Sequence, residues 1–353
     1  IGALAGALLC VMCMFMINAG ATFVAAFVAT GVYLAMQRRS LRAWWGDMRG
    51  GLLMLIARQA ILSLDRNPLT TRTWKPNILV LSGAPTSRWH LVELAAALSH
   101  GRGFVTVASV LPGDTLPRRQ RQLAQTMQEY LRKRQVDCVV KTYAAETPLE
   151  GVRALVDLYG YGPIAPNTVI LGETRNPENY QDYAQLVRHI HDQQQNLVIL
   201  REAPDEEGAA RPGRIEIWCG RIQKNLGLML ALAYLLRRSE RWHAAELTLN
   251  TVVTDPAEEE HTRRRLEEFV SKVRIAARVE VIVTRSDRVF DVIRERSRDA
   301  DLVLMGIREP GAEEQSQSYG EYYYSLLTST DGLPSTALVM AAEDIDFYAI
   351  FQE

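Results

Sequence analysis

The first 37 residues lack any charged side chain, and every Lys, Arg, Asp and Glu of the chain lies from Arg38 onward. As one helix, rising about 1.5 Å per residue, this stretch would be much longer than the roughly 30 Å of a hydrocarbon layer. The turn-forming cluster Asn18-Ala19-Gly20 divides it. We therefore expect a transmembrane helical hairpin over residues 1–37, with arms at 1–17 and 22–36.

A basic start and a cleavage site, which a signal peptide needs, are also lacking. The chain begins at Ile1 within apolar sequence, which favours the carboxy-terminal piece of a larger membrane protein. Arg38, Arg39 and Arg42 follow the second arm, and basic residues mark the cytoplasmic side. The prediction is a multi-pass protein of the cell membrane whose carboxy-terminal domain is cytoplasmic.

Several chemical signatures are missing from the rest of the chain. The net charge is −1, so no basic field recruits nucleic acid. The four cysteines show no paired metal-binding spacing, and two of the six histidines, His189 and His191, stand two apart on a predicted helix and so on different faces. There is no G-x-S-x-G nucleophile elbow and no glycine-rich phosphate loop. The sequence therefore predicts neither an enzyme nor a metal site.

A connecting segment, residues 38–71, follows the hairpin. Its predicted helix, 41–64, has an apolar stripe that includes Trp45, Met48 and Leu52. Trp44 and Trp45 suit the headgroup zone of a membrane. Two interpretations stay open, an ordinary amphipathic linker or a lever that couples membrane to cytosol through Trp44, Trp45, Met48 and Leu52.

From residue 72 onward, short apolar runs alternate with amphipathic segments, which predicts parallel strands joined by helices. A polar stretch rich in Pro and Gly, 204–214, divides this region into lobe 1, 72–203, and lobe 2, 215–353. The predicted strands are 78–81, 104–110, 136–141, 168–171 and 197–200 in lobe 1, and 215–218, 246–253, 279–283, 302–305 and 336–340 in lobe 2. The fold class is thus α/β, two tandem doubly wound parallel-sheet lobes.

Candidate ligand residues follow the strands, because ligands of open α/β sheets bind beyond the carboxyl ends. In lobe 1 these are Ser82, Gly83 and Gly172, which could form a nucleotide crevice or be purely structural turns. In lobe 2, Arg221 and Arg308 could meet a phosphate or a carboxylate, or be ordinary surface arginines.

Two further patterns have open interpretations. Glu258-Glu259-Glu260 precedes Arg263-Arg264-Arg265 on one predicted helix, which predicts ion pairs on a solvated face. Tyr319, Tyr322, Tyr323 and Tyr324 either cap the last lobe or form an interface patch.

The order of several segments resembles the cytosolic domain of cation–chloride cotransporters, within the amino acid–polyamine–organocation superfamily. The resemblance covers nearly the whole chain and is carried by 45–47 after the last membrane helix, 76–85 at the first strand, 215–218 with the helix ending at 234–238 and Arg241-Trp242, 300–305 with Pro310, Leu333-Pro334 and the aromatic tail.

The resemblance implies a twelve-span, amino acid permease-like secondary transporter that carries chloride with potassium, sodium or both, electroneutrally. This chain would supply the last two spans and a regulatory cytosolic domain of two universal-stress-protein-like lobes, which forms a homodimer. It permits ATP or ADP in lobe 1, whereas the family's ion ligands come from earlier spans, so no ion-binding residue transfers here. The short inter-lobe linker implies a prokaryotic, less regulated relative. The alternatives are a nucleotide-sensing domain of an amino acid permease-like transporter and a membrane-anchored adaptor.

Overall fold

The computed structural model describes residues 9, 12–38, 42–67, 74–101, 103–174, 176–203, 213–220, 223–311 and 313–342, with the side chains of these residues except 32–48 and 223. Most of the predicted inter-lobe linker, residues 204–212, and the aromatic tail lie outside the described residues. The chain divides into two compact units, Ile1–Arg66 and Asn67–Glu353.

The first unit is helical and breaks at Asn18. Residues 12–17 are helical, and the helices α1, Ala19–Arg38, and α2, Arg42–Arg66, follow. The side-chain Oδ1 of Asn18 accepts a hydrogen bond from the backbone N–H of Ala21 at 3.1 Å, which caps α1. Ala19 and Gly20 are already helical, so the predicted turn is confined to one residue. Among the described residues, no helix has the length and apolarity that a membrane crossing requires.

The second unit alternates strands with helices in the predicted order. Its first half contains β1 Ile78–Leu81, α3 Trp89–Ser99, β2 Val105–Pro112, α4 Pro117–Lys133, β3 Val139–Ala145, α5 Pro148–Leu158, β4 Thr168–Gly172, α6 Tyr180–Asp192 and β5 Asn196–Arg201. Its second half contains β6 Arg214–Cys219, α7 Gln223–Arg237, β7 Glu246–Val253, α8 Glu259–Lys272, β8 Arg278–Val283, α9 Val289–Arg296, β9 Leu302–Gly306, α10 Ser316–Ser329 and β10 Thr336–Met340.

Local chemistry sets several of these boundaries. Pro148 starts α5, and the side chain of Thr147 accepts the N–H of Glu150 at 3.3 Å. The predicted start of β3 at Val136 is wrong by three residues. The reason is that Gln135 adopts a left-handed conformation, with φ of 59°, and Val136 donates its N–H to the carbonyl of Leu131, which closes α4.

All ten strands lie in one sheet, in the order β3-β2-β1-β4-β5-β10-β9-β6-β7-β8. Every neighbouring pair is parallel except β5 and β10, which pair antiparallel from Leu197 opposite Met340 to Arg201 opposite Thr336. Counted inward from either edge, each half contributes its third, second, first, fourth and fifth strand in that order. The predicted α/β fold with parallel strands is thus confirmed, but the two halves share a single sheet because their last strands pair.

The core has two layers, one on each face of the sheet. Ile78 and Val80 pack into the layer formed with α3, α4, α7 and α8, whereas Leu79 and Leu81 pack into the layer formed with α5, α6, α9 and α10. Strands buried on both faces explain the continuous apolar runs of the sequence. Helices on both faces leave the strand ends open as the place for a site.

Candidate functional site

A crevice lies at the carboxyl ends of β1 and β4 in the first half. It has a volume of about 300 Å³, and its lining includes Leu81, Arg88, Gly172 and Glu173. The strand order changes direction at this point, since β1 leads to β2 on one side and pairs with β4 on the other. Such a switch point is the usual ligand position of an open α/β sheet.

Of the three residues predicted for this crevice, only Gly172 lines it. Ser82 is buried, and its hydroxyl donates to the carbonyl oxygen of Gly83 at 3.4 Å. Gly83 has a φ of +64°, so glycine is used there for a left-handed turn. Ser82 and Gly83 therefore shape the end of β1, and a nucleotide at this crevice stays a prediction.

Among the described residues, the lining of the crevice contains one arginine, Arg88, and two carboxylates, those of Glu173 and Asp182. Glu173 is directed to the neighbouring strand, where its Oε2 lies 3.5 Å from Nε of Arg201, and both side chains are less than 10% exposed. Burial raises the pKa of Tyr183 well above its ordinary value, so this phenol stays neutral and donates to the carbonyl of Gly172 at 3.0 Å.

The corresponding position of the second half is filled by a side chain of the protein. Asn225, near the start of α7, is buried, donates to the carbonyl of Ile307 at 2.7 Å and accepts the N–H of Ala341 at 2.9 Å. A Cβ at Gly306 would lie only 2.9 Å from Nδ2 of Asn225. Gly306 thus allows the close approach by which one amide ties the ends of β9 and β10 together.

Arg308 stabilises the loop between β9 and α10. Its guanidinium makes a bidentate pair with Glu314, at 2.6 and 2.5 Å, and lies 4.2 Å from the ring centre of Tyr322. Hydrogen bonds from Arg308 are the largest cause that lowers the pKa of Glu314 to about 2. Glu314 also accepts the N–H of Gly311 at 3.0 Å. Arg308 is therefore engaged within the chain, while Arg221, the other predicted arginine, lies outside the described residues.

The predicted coupling residues all fall in α2. The side chains of Trp44, Trp45 and Met48 lie outside the described residues, and Leu52 is 61% exposed. Leu52 opens a run of apolar side chains that are all more than half exposed, namely Leu52, Leu53, Met54, Leu55 and Ile56. Consecutive residues cover every face of a helix, so this run offers apolar surface all round.

The seam, where α10 of the second half packs against α6 of the first, contains Tyr323 and Tyr324 of the carboxy-terminal tyrosine cluster. Tyr323 of α10 stacks on Tyr183 of α6 with ring centres 5.1 Å apart, and it meets Tyr180 edge-on at 6.1 Å. Tyr319 and Tyr323 are buried, whereas Tyr324 is 52% exposed. The cluster therefore packs α10 against the first half.

Buried polar groups complete the seam. Arg201 of β5 donates to the carbonyl oxygen of Thr330 at 2.6 Å, and the N–H of Ala342, just after β10, donates to Oδ1 of Asn196 at 2.9 Å. Because an unmade hydrogen bond of a buried group is costly, these two contacts fix how the halves meet. On the opposite face of the sheet, an exposed pair also joins the halves, in which Arg241 donates to Glu93.

Sequence reasoning missed a buried carboxylate in the second half. Glu216 of β6 is fully buried, and its oxygens lie 2.6 Å from the Arg214 guanidinium and 2.6 Å from the Ser297 hydroxyl. Ser297 in turn accepts the indole N–H of Trp218 at 2.8 Å. The signal in the sequence was an acidic residue between two isoleucines, Ile215 and Ile217, in a strand that begins with Arg214. For metals, the described part of the chain brings no three His, Cys, Asp or Glu side chains together.

These features define a tandem α/β domain, two doubly wound halves joined edge to edge through antiparallel last strands. Residues 88–208 match the family model of solute carrier family 12. A solved structure described as the cytoplasmic domain of a prokaryotic cation chloride cotransporter is 16% identical, with a TM-score of 0.56, and the match covers 78% of this chain and all of that one. A universal stress protein from Archaeoglobus fulgidus DSM 4304 is 13% identical, with a TM-score of 0.49 and coverage of 78% and 100%.

The resemblance to cation–chloride cotransporters is thereby confirmed. The family model identifies it over residues 88–208, and the first structure identifies it at the level of the fold.

Proposed function

We propose that this chain is the carboxy-terminal part of an electroneutral symporter of chloride with potassium, sodium or both. The observation that carries the proposal is the match of residues 88–208 to solute carrier family 12, a family of transporters. The fold shared with a cation chloride cotransporter's cytoplasmic domain supports it. The charge-free residues 1–37 would supply the last two membrane spans.

Within such a transporter, the sheet domain would serve dimerisation and regulation. Helix α2 would join it to the membrane part, and its exposed apolar run at residues 52–56 is suited to an apolar environment on all sides. The seam would transmit movement as a rigid body because stacked tyrosines and buried hydrogen bonds cross it. Pairing with a second copy would follow the two-fold symmetry of most homo-oligomers.

Ion uptake by the complete reading frame that encodes this chain tests the proposal. The protein is reconstituted in liposomes, and uptake of radioactive rubidium, as a potassium substitute, and of sodium is measured with chloride or with gluconate. We expect uptake of at least one cation to require chloride and to be insensitive to the membrane potential. Cation uptake of equal rate in gluconate, or uptake driven by voltage alone, would contradict the proposal.

A further inference from the structure

Helix α8 of the second half contains an arginine that forms no ion pair with an acidic residue of the same helix. On α8, Arg263 pairs with Glu259 at 2.9 Å and Arg264 pairs with Glu260 at 3.1 Å, each with the acid four residues earlier. Arg265, the third arginine of the run, has His261 at that position. Within the described residues Arg265 has no carboxylate in ion-pair distance, so the predicted neutralisation of the whole run is incomplete.

Arg265 lines a cavity of about 430 Å³ at the carboxyl ends of β6 and β7. Lys272, two turns further along α8, lines the same cavity and also has no ion-pair partner among the residues described. A volume of this size is within the range of small-molecule sites, roughly 300–1,000 Å³. The cavity therefore combines room for a ligand with two cations that lack an internal partner.

The base of the cavity is apolar, and its lining includes Leu226, Leu266 and Val273. Phe269, which lies between the two cations on α8, packs against the hydrophobic core. Gly220, which follows β6, also lines the cavity, and a Cβ built there meets no atom within 4 Å. Thr262 and Thr251 also line the cavity, and the hydroxyl of Thr251 donates to the carbonyl oxygen of Cys219 at 3.0 Å.

Among the described residues of the lining, the net charge is positive by one, from Arg265 and Lys272 against Glu268. The remaining titratable group is the thiol of Cys219, and burial raises its pKa, so it adds no negative charge at neutral pH. An arginine fork suits an oxyanion, and the apolar base suits a hydrophobic group.

We propose that this cavity binds a small molecule in which a phosphate or carboxylate is attached to an apolar or aromatic group. The oxyanion would lie between Arg265 and Lys272, and the apolar group would lie on Phe269. The site is separate from the crevice at β1 and β4, and the proposal does not depend on transport.

Binding of phenyl phosphate to the full chain in detergent, measured by calorimetry, tests the proposal. Benzoate is the carboxylate counterpart of phenyl phosphate. Inorganic phosphate has the oxyanion without the aromatic ring, and phenol has the ring without the oxyanion. We expect saturable binding of phenyl phosphate or benzoate, and at least tenfold weaker binding of both inorganic phosphate and phenol. The better of the two aromatic anions identifies the oxyanion. No binding of either aromatic anion at about 10 mM, a concentration that would detect even a weak millimolar site, overturns the proposal.

Substitutions on one helix give opposite expected effects. Arg265→Gln should weaken binding at least tenfold, whereas Glu268→Gln should tighten it several-fold because a repelling carboxylate is removed. Arg264→Gln is the matched control, since that arginine pairs with Glu260 and does not belong to the lining of the cavity. Equal weakening by Arg264→Gln and Arg265→Gln, or unchanged binding in both Arg265→Gln and Glu268→Gln, would show that these side chains do not form the site.

Discussion

At the scale of single residues, Arg308 shows that a charged side chain at a strand end can stabilise a loop. Its guanidinium satisfies both oxygens of Glu314, and its own carbonyl accepts the hydroxyl of Tyr319 at 2.8 Å. The carboxylate of Glu314 also accepts from Gly311 and from the hydroxyl of Ser318. Ionised Glu314 is therefore the centre of the loop between β9 and α10.

Replacing Glu314 by Gln should destabilise the sheet domain in a pH-dependent manner. Because the folded pKa of Glu314, about 2, is below the value near 4.3 of an unfolded chain, its contribution is complete above that value and disappears as pH falls through about 2. At pH 7 we expect Glu314→Gln to lower the free energy of unfolding by about 1–3 kcal/mol. Urea unfolding of wild type and variant between pH 7 and pH 3 measures the difference.

The control for this prediction is the exposed neighbour Glu313. Glu313→Gln should change the free energy of unfolding by less than about 0.5 kcal/mol, as surface substitutions usually do. A difference between wild type and Glu314→Gln that stays constant down to pH 3, or that equals the effect at Glu313, would contradict the assigned role.

A second residue-scale prediction concerns Gly306. In Gly306→Ala the new methyl group would meet Nδ2 and Cβ of Asn225 at 2.9 and 3.0 Å, and Asn225 is held by hydrogen bonds to Ile307 and Ala341. We expect a loss of about 1–3 kcal/mol in thermal or urea unfolding. Gly220→Ala, which meets no atom within 4 Å, is the control. Equal stability of the two variants would show that the Asn225 side chain can move away from the new methyl group without a loss of stability.

Sequence patterns identify buried apolar residues more readily than they identify buried polar ones. Glu216 lies between two isoleucines and Asn225 precedes a long apolar run, and their roles depend on partners such as Ala341 and Ser297 that are distant in sequence. A local pattern contains no information on which partner the fold will bring near. Gly172 could be placed at a strand end for the opposite reason, since the strand before it is a continuous apolar run.

At the scale of elements, the strands and helices could be predicted because each apolar run is flanked by a turn or a cap. The strands Glu246–Val253 and Thr336–Met340 begin and end at the predicted residues. The helix predicted to carry Glu258, Glu259 and Glu260 instead begins at Glu259, because Asp255 caps a 3-10 turn at Pro256–Glu258 that precedes it. Such differences arise where two helical forms compete at a terminus.

The packing of α10 against α6 gives the prediction for this scale. Tyr323→Ala removes a buried ring that stacks on Tyr183, and the cavity should cost about 3–5 kcal/mol of unfolding free energy. Tyr324→Ala, next in sequence on the same helix, removes a half-exposed ring that contacts Tyr180 at 5.5 Å, and it should cost only about 1 kcal/mol. Denaturant midpoints of the two variants measure the contrast. Similar midpoints would mean that the seam does not stabilise the domain.

At the scale of the whole molecule, the sequence predicts two halves but does not predict that they share one sheet. The join depends on the pairing of β5 with β10, which lie at the ends of the two halves, and on tyrosines that α6 and α10 contribute separately. Each half alone has a complete alternation of strands and helices, so no periodicity reveals that its last strand needs a partner. An unpaired last strand would expose backbone donors and acceptors, which explains why the halves meet there.

Self-association is the first prediction for the whole molecule. We expect the isolated sheet domain, residues 72–353, to have twice the mass of one chain in light scattering at tens of micromolar. The basis is the two-fold pairing usual for homo-oligomers, together with the compactness of the unit from Asn67 onward. A mass of one chain at that concentration would contradict the proposed dimer. It would not bear on the transport proposal, which ion uptake tests separately.

The most direct test of the central claim is whether a chloride gradient alone drives cation movement. Liposomes containing the complete protein are prepared with equal rubidium and sodium on both sides, a clamped membrane potential and chloride only outside. Symport predicts that rubidium, sodium or both accumulate inside, although neither cation has an initial gradient. This accumulation should decay as chloride equilibrates. Chloride entry without accumulation of either cation, or no chloride entry at all, would contradict the claim that this chain belongs to a chloride-coupled cation transporter.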